Sequence, residues 1–240
     1  MMMFICLSVF SAGLCIAAEE NGVFNHTFSL GVTLTDGNSD TLQADASLVT
    51  EWEKDGFGSI RAGVQGNYGE STVNSNKETT VENARAFAGL KKNAGERIFA
   101  SFSSEALYDE IASVDYRAVA GLGAGFYSVK NAETDLSLEA GPSYVWEEVA
   151  GQSDDYFALY FEERFEHRIS KTAKIWQSVR YTPKADDFDD YLLNGEMGVE
   201  AAISARSSIR VLVRDGYDST PGPGLQKNDV SLITGISMSI

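Results

Sequence analysis

Residues 115–146, DYRAVAGLGAGFYSVKNAETDLSLEAGPSYVW, alternate with a period of two along both arms of a would-be hairpin. One set is Tyr116, Ala118, Ala120, Leu122, Ala124 and Phe126, resuming after the turn as Leu136, Leu138, Ala140, Pro142, Tyr144 and Trp146. The other set is Arg117, Gly121, Gly123 and Gly125, then Ser137, Glu139, Gly141, Ser143 and Glu147. Successive strand side chains point to opposite faces, so each arm has one apolar face and one polar or glycine face. Rings stand at the ends of the apolar face with small aliphatics between them. A strand facing lipid has that appearance, an apolar band flanked by aromatic residues at two interfaces.

The rest of the chain repeats or connects this unit. Alternating segments begin near Phe24, Thr41, Ile60 and residue 80, then at Ile98, Phe157, residue 174, Leu193, Ile209 and Val230. With the opening pair they make about twelve strands, an even number. Expected short turns lie at 54–57, 92–96, 130–134, 170–173 and 205–207, and expected longer loops at 70–79, 148–154, 183–190 and 215–227. Short periplasmic turns and longer external loops are what an outer-membrane barrel shows. Charge divides the same way: Lys54, Lys91, Lys92, Lys130, Lys171, Lys174 and Arg206 sit by the short turns, whereas the long loops are acidic. The predicted fold is therefore all-β, a closed antiparallel transmembrane barrel of about twelve strands. A soluble all-β binding module with a solvated acidic face is the alternative that composition leaves open.

The formal charge of −16, from 35 acidic and 19 basic residues, argues against a nucleic-acid partner, because phosphate binding needs clustered Lys and Arg. The first residues, MMMFICLSVFSAGLCIAAEE, read as an export signal over 1–17 with an apolar core from Phe4 to Ile16, leaving 18–240 as the barrel domain. Cys6 and Cys15 both fall in that signal, so the exported chain is expected to lack thiols. No later apolar run approaches the roughly 18 residues a membrane helix needs. The expected location is the outer membrane of a Gram-negative envelope. The expected partners are its lipid and, during export, periplasmic chaperones and the barrel-assembly machinery. The last strand ends on Ile240 with an apolar outer face.

Several pieces together resemble the YdiY-like family of salt-induced outer-membrane proteins, built on a domain of unknown function. They are Thr35-Asp36-Gly37-Asn38-Ser39-Asp40-Thr41, Tyr108-Asp109-Glu110 with Tyr116-Arg117, and Gly121-Leu122-Gly123-Ala124-Gly125-Phe126. The tail Gly216-Tyr217-Asp218-Ser219-Thr220-Pro221, with Asp229 and Thr234-Gly235, completes the set. The resemblance covers essentially the whole exported chain. It implies an outer-membrane barrel and carries over no catalytic residue.

Gly121-x-Gly123-x-Gly125 lies inside one strand, not between a strand and a helix, so it reads as close approach on the inner face rather than a phosphate-cradling loop. His26 and His167 are the only histidines. They fall on the lipid-facing side or its rim with no serine motif beside them, which leaves a barrel lipid hydrolase as the enzymatic alternative. No cofactor or metal is expected. The inner face collects charges, which in a closed barrel must pair or meet water. Barrels of about eight strands are filled by side chains and those of roughly sixteen hold an open channel; twelve predicts a narrow lumen with pairs of mixed sign. Tyr108, Asp109, Asp115 and Arg117 are candidates for lining its mouth, and Glu139, Arg164 and Arg180 for lining its interior. An Arg–carboxylate cross-link that only fixes barrel shape is the competing role for them. The expected function is a non-enzymatic barrel, either a narrow channel for ions or small solutes or an envelope-stabilising protein.

Overall fold

The computed structural model describes residues 22–35, 40–54, 56–73, 76–222 and 224–239. The expected export signal over 1–17, the Asp36–Ser39 part of the first motif and Ile240 lie outside them. Twelve strands follow in order: β1 Val23–Thr35, β2 Asp40–Lys54, β3 Gly58–Val73, β4 Asn76–Asn93, β5 Ile98–Asp109, β6 Val114–Lys130, β7 Thr134–Val149, β8 Gln152–Arg168, β9 Ala173–Pro183, β10 Tyr191–Ala202, β11 Ser207–Asp218 and β12 Asn228–Ser239. Each pairs antiparallel with its neighbours in sequence, and β1 pairs with β12, closing the barrel. Closure leaves no free sheet edge, which is what lets strands cross a bilayer. Among the described residues no helix is long and apolar enough to do so.

The outer rows are the apolar sets. Leu122 is 63% exposed, Phe157 69% and Leu232 62%, whereas Tyr160 and Val145 on the inner rows are fully buried. The apolar rows pack on no second layer of protein, so a soluble two-layer module is not what the sequence builds. Two belts of rings bound the apolar band. At the end carrying the 184–190 and 219–227 loops, Tyr144 stands 4.6 Å from Trp146 and 4.7 Å from Phe157, and Tyr191 lies 5.2 Å from Tyr181 and 5.6 Å from Tyr217. At the other end Trp52 meets Phe24 at 6.2 Å and Phe57 at 5.3 Å, and Phe165 stacks on His167.

Two segments expected to be loops are ladder instead, and the expected loop 215–227 is ladder as far as Asp218. In 70–79, β3 and β4 continue pairing up to Val73 and Asn76 around a bulge at Gly69/Glu70. The Glu70 carboxylate accepts from Tyr68 at 2.6 Å and pairs with Lys77 at 2.5 Å. Above the rings both faces of a hairpin meet water, so a polar run gives no sign that pairing goes on. In 148–154 the chain reverses over Ala150 and Gly151 alone, both at positive φ (52° and 72°). That is the two-residue hairpin geometry favoured by Asn-Gly or Asp-Gly. Here Ala150 occupies the first place, tied by its N–H to the Ser113 carbonyl at 2.8 Å. Only 184–190 and 219–227 remain as long connections at this end.

Candidate functional site

The lumen is lopsided. Along β12, β1 and β2 the inner rows are small and polar: Ser29, Gly31, Ser47, Gly235 and Ser237, with the Ser29 and Ser237 hydroxyls bonded at 2.8 Å across the closing seam. Along β5–β9 they are bulky. The glycine row Gly121, Gly123 and Gly125 exists because the Tyr160 and Phe99 rings lie against it; a Cβ at Gly123 would run into the Tyr160 hydroxyl and one at Gly125 into the Phe99 ring. No phosphate-cradling turn is involved.

That bulky wall carries a polar cluster. Glu139 is buried and accepts hydrogen bonds from Ser101 at 2.6 Å and from the Tyr160 hydroxyl at 2.7 Å, while Lys91 Nζ pairs with its other oxygen at 3.1 Å. The Arg180 guanidinium lies 4.1 Å from the Tyr160 ring centre and donates to Glu162 at 3.0 Å and Ser103 at 2.9 Å. On the next wall Trp176 donates to Glu196 at 3.0 Å, Arg214 pairs with the same carboxylate at 2.8 Å, and Arg210 stacks 4.5 Å over the indole. Trp176 points inward, and Gly198, its register partner on β10, leaves room for the ring. Facing these, Arg61 and Arg85 flank the Phe87 ring at 4.9 and 5.2 Å and pair with Glu51 and Glu105.

Between the walls, Ser29, Asp45, Ser47, Gln65, Asn67, Arg210, Arg214 and Ser237 border a cavity of about 40 Å³. Gln65 Oε1, Arg210 Nε and Arg214 Nε there accept or donate no hydrogen bond among the described residues. A polar cavity of that size holds a water or two. The narrow, charge-lined interior predicted for twelve strands is present.

The expected mouth residues divide. Arg117 donates to Glu147 on β7 and, at 2.7 Å, to Asp218 on β11. Since β6 and β11 lie nearly opposite each other in the strand order, this bond bars the outer mouth. The three side chains are only 12%, 14% and 22% exposed. Asp218 also receives the Thr220 N–H at 3.0 Å, Thr220 Oγ1 donates to Asp190 at 2.7 Å, and Gly222 lies beside Val149 and Ala150. The 219–227 loop therefore crosses the mouth to the far hairpin. Asp109 is inside, accepting from the Ala112 N–H at 3.0 Å and so fixing the 110–113 turn. Tyr108 is not in the mouth: it occupies an outer row and donates to Glu110 at 2.8 Å. Asp115 is exposed in a bulge between Val114 and Tyr116. Arg164 faces inward and makes no ion pair within 4.0 Å among the described residues; the Arg61 guanidinium is among the charges it feels. Both histidines are on outer rows, His26 bonded to Thr50 at 3.0 Å and His167 to Thr134 at 2.9 Å. Lys91, Tyr160, Trp176 and Asp218 were not singled out as site residues.

A family model described as a protein of unknown function, DUF481, matches residues 28–240. No curated protein matches the chain. Among solved structures the NanC porin superposes with a TM-score of 0.55 at 7% identity, covering 90% of this chain and all (100%) of that one. The KdgM porin gives 0.47 at 8% identity over 91% and 99%, and the COG4313 outer membrane channel from Pseudomonas putida F1 gives 0.48 at 9% over 91% and 95%. The likeness to NanC is one of fold: this chain has the barrel architecture of an outer-membrane porin.

Proposed function

We propose that this chain, which belongs to the DUF481 family of proteins of unknown function, is a narrow passive channel of the outer membrane that prefers small cations and catalyses no reaction. The observation that carries this is the small polar cavity bordered by Ser29, Ser47, Gln65 and Ser237, beside walls crowded with charges. Most inner charges cancel in pairs. Those that make no ion pair within 4.0 Å among the described residues are mainly acidic: Asp45, Asp109 and Asp229 toward the outer end, Glu53, Asp135 and Glu200 toward the other, against Arg164 and, at the short-turn rim, Lys130 and Arg168. A low-dielectric tube concentrates ions of the sign opposite to its uncompensated charge. An enzymatic reading finds no support in the histidines, which face outward on threonines and away from every inner serine.

Within the family, the order of motifs supports a YdiY-like member. We extend the reading to export through the 1–17 signal and insertion by periplasmic chaperones and the barrel-assembly machinery. Planar-bilayer recording under a KCl gradient tests the function. Small steps with a reversal potential of cationic sign are expected. Folded protein that gives no steps would leave an envelope-stabilising barrel cross-linked by its own ion pairs.

A further inference from the structure

The outer rows between the two ring belts are apolar except at a few positions. Among the described residues two carboxylates lie there: Asp215, one step from Tyr217 toward the bilayer centre, and Glu163. Glu163 is on β8 between Phe161 and Phe165, with Leu138 and Val179 as its register partners on β7 and β9. With a rise of about 3.3 Å per residue and a tilt near 40°, it stands roughly 10 Å inside the His167 level. Its nearest polar neighbour is Gln177 on the same outer face, whose Nε2 donates to Glu163 Oε2 at 3.3 Å. Beside the pair runs a groove of about 410 Å³, floored by Ala124, Ala140 and Val179 and walled by Phe126, Leu138 and Phe161.

We infer that this face, from β6 to β9, is where a second copy of the chain docks, related by a two-fold axis. Lipid tails offer no hydrogen bonds, so polar groups directed into hydrocarbon are satisfied only by protein. Among the described residues, Glu163 Oε1 and the second N–H of Gln177 have no hydrogen-bond partner beyond their mutual bond. The face therefore carries an acceptor and a donor side by side, which is the requirement for an isologous contact: Gln177 of each copy bonds Glu163 of the other. Small residues allow the close backbone approach that membrane contacts use. An ammonium lipid is the weaker fit, because Glu163 lies deeper than a headgroup normally rests. The inference requires the barrel to sit in a bilayer and is independent of whether it conducts.

The test is step-counting photobleaching of labelled, folded protein at high dilution in large liposomes, with heat-modifiable gel mobility confirming the fold. Wild type is expected in pairs. The double variant Glu163→Leu, Gln177→Leu suits hydrocarbon and is expected to fold; its paired fraction should fall roughly tenfold, the scale of lost interhelical-type polar contacts in lipid. Ala124→Trp fills the groove from β6, two strands away from the polar pair, and should lower pairing likewise. Thr234→Leu, on an outer row of β12 across the barrel, should leave pairing unchanged. Single copies of wild type, or pairing unaffected by both the double variant and the groove variant, overturns the inference.

Discussion

Replacing Arg117 by methionine should unlatch the outer mouth. The guanidinium is 12% exposed and donates to two carboxylates from different walls, at 14% and 22% exposure. Removing it leaves Glu147 and Asp218 as like charges at one point of the rim. Breaking a buried pair from one side costs about 3–5 kcal/mol; water reaching the rim places this case near the low end, about 3 kcal/mol. The loss falls first on the segment that Asp218 anchors, where Thr220 and the 219–227 loop bridge to Asp190 and to the Ala150 hairpin. Amide exchange in 219–227 should rise by roughly two orders of magnitude for that energy, with the mid-barrel ladders unchanged. Unitary conductance should rise as well, and cation preference should sharpen because two carboxylates at the rim lose their counter-charge. Arg117→Lys should recover part of the protection, since one ammonium lacks the fork that reaches both acids. Unaltered exchange in 219–227 together with unaltered conductance would refute the latch.

Other consequences are open to measurement. Gly123→Ala puts a methyl where the Tyr160 hydroxyl lies, and should lower stability by about 1–3 kcal/mol, read as an earlier urea midpoint of the refolded barrel. Tyr160→Phe removes a donor from buried Glu139 at 2.7 Å, and should cost about 1–2 kcal/mol by the same assay without changing the fold. In the 184–190 loop, burial of Lys184 pulls its pKa down, but the bond to Asp154 at 3.3 Å and the charges of Asp154, Asp190 and Asp186 outweigh it, so the net shift is upward from 10.5. An amine whose pKa is raised by folding holds its anchor below its ordinary value and loses it as pH climbs through the raised one. A spin label at Asp187→Cys should thus stay ordered at pH 9 and become mobile well above 10.5, whereas Lys184→Met should make it mobile at both.

Alternation revealed much of this molecule because a barrel wall has two solvents, and a period of two assigns every residue to one of them. The rows from Tyr116 to Phe126 and from Leu136 to Trp146 follow it throughout. Height and azimuth are another matter. Nothing local links Arg117 to Asp218, 101 residues away; only strand order and register bring them together. The Ala150-Gly151 hairpin escaped because its first residue is not one that favours positive φ, and the 70–79 ladder because hairpins above the membrane have no apolar face to read. Tyr108 was counted for the mouth on proximity to the rim, although its own parity puts it among the lipid-facing rings. Glu163 and Gln177 each broke the pattern by a single position, and each looks like noise until register sets them side by side.

Among the described residues the shortest ladder is the one that makes the molecule a cylinder. Thirteen described residue pairs join β1 to β2, from Val23 with Glu53 to Thr35 with Thr41, while five join β1 to β12, Thr27–Gly31 against Ser239–Gly235. Eleven neighbours can zip up locally as hairpins, but this last join unites segments 208 residues apart and carries the largest loop-closure entropy for the fewest bonds. Until it forms, both terminal strands offer bare edges to any other chain. Insertion is therefore a race between self-closure and mispairing, with its finish line at Ser29 and Ser237.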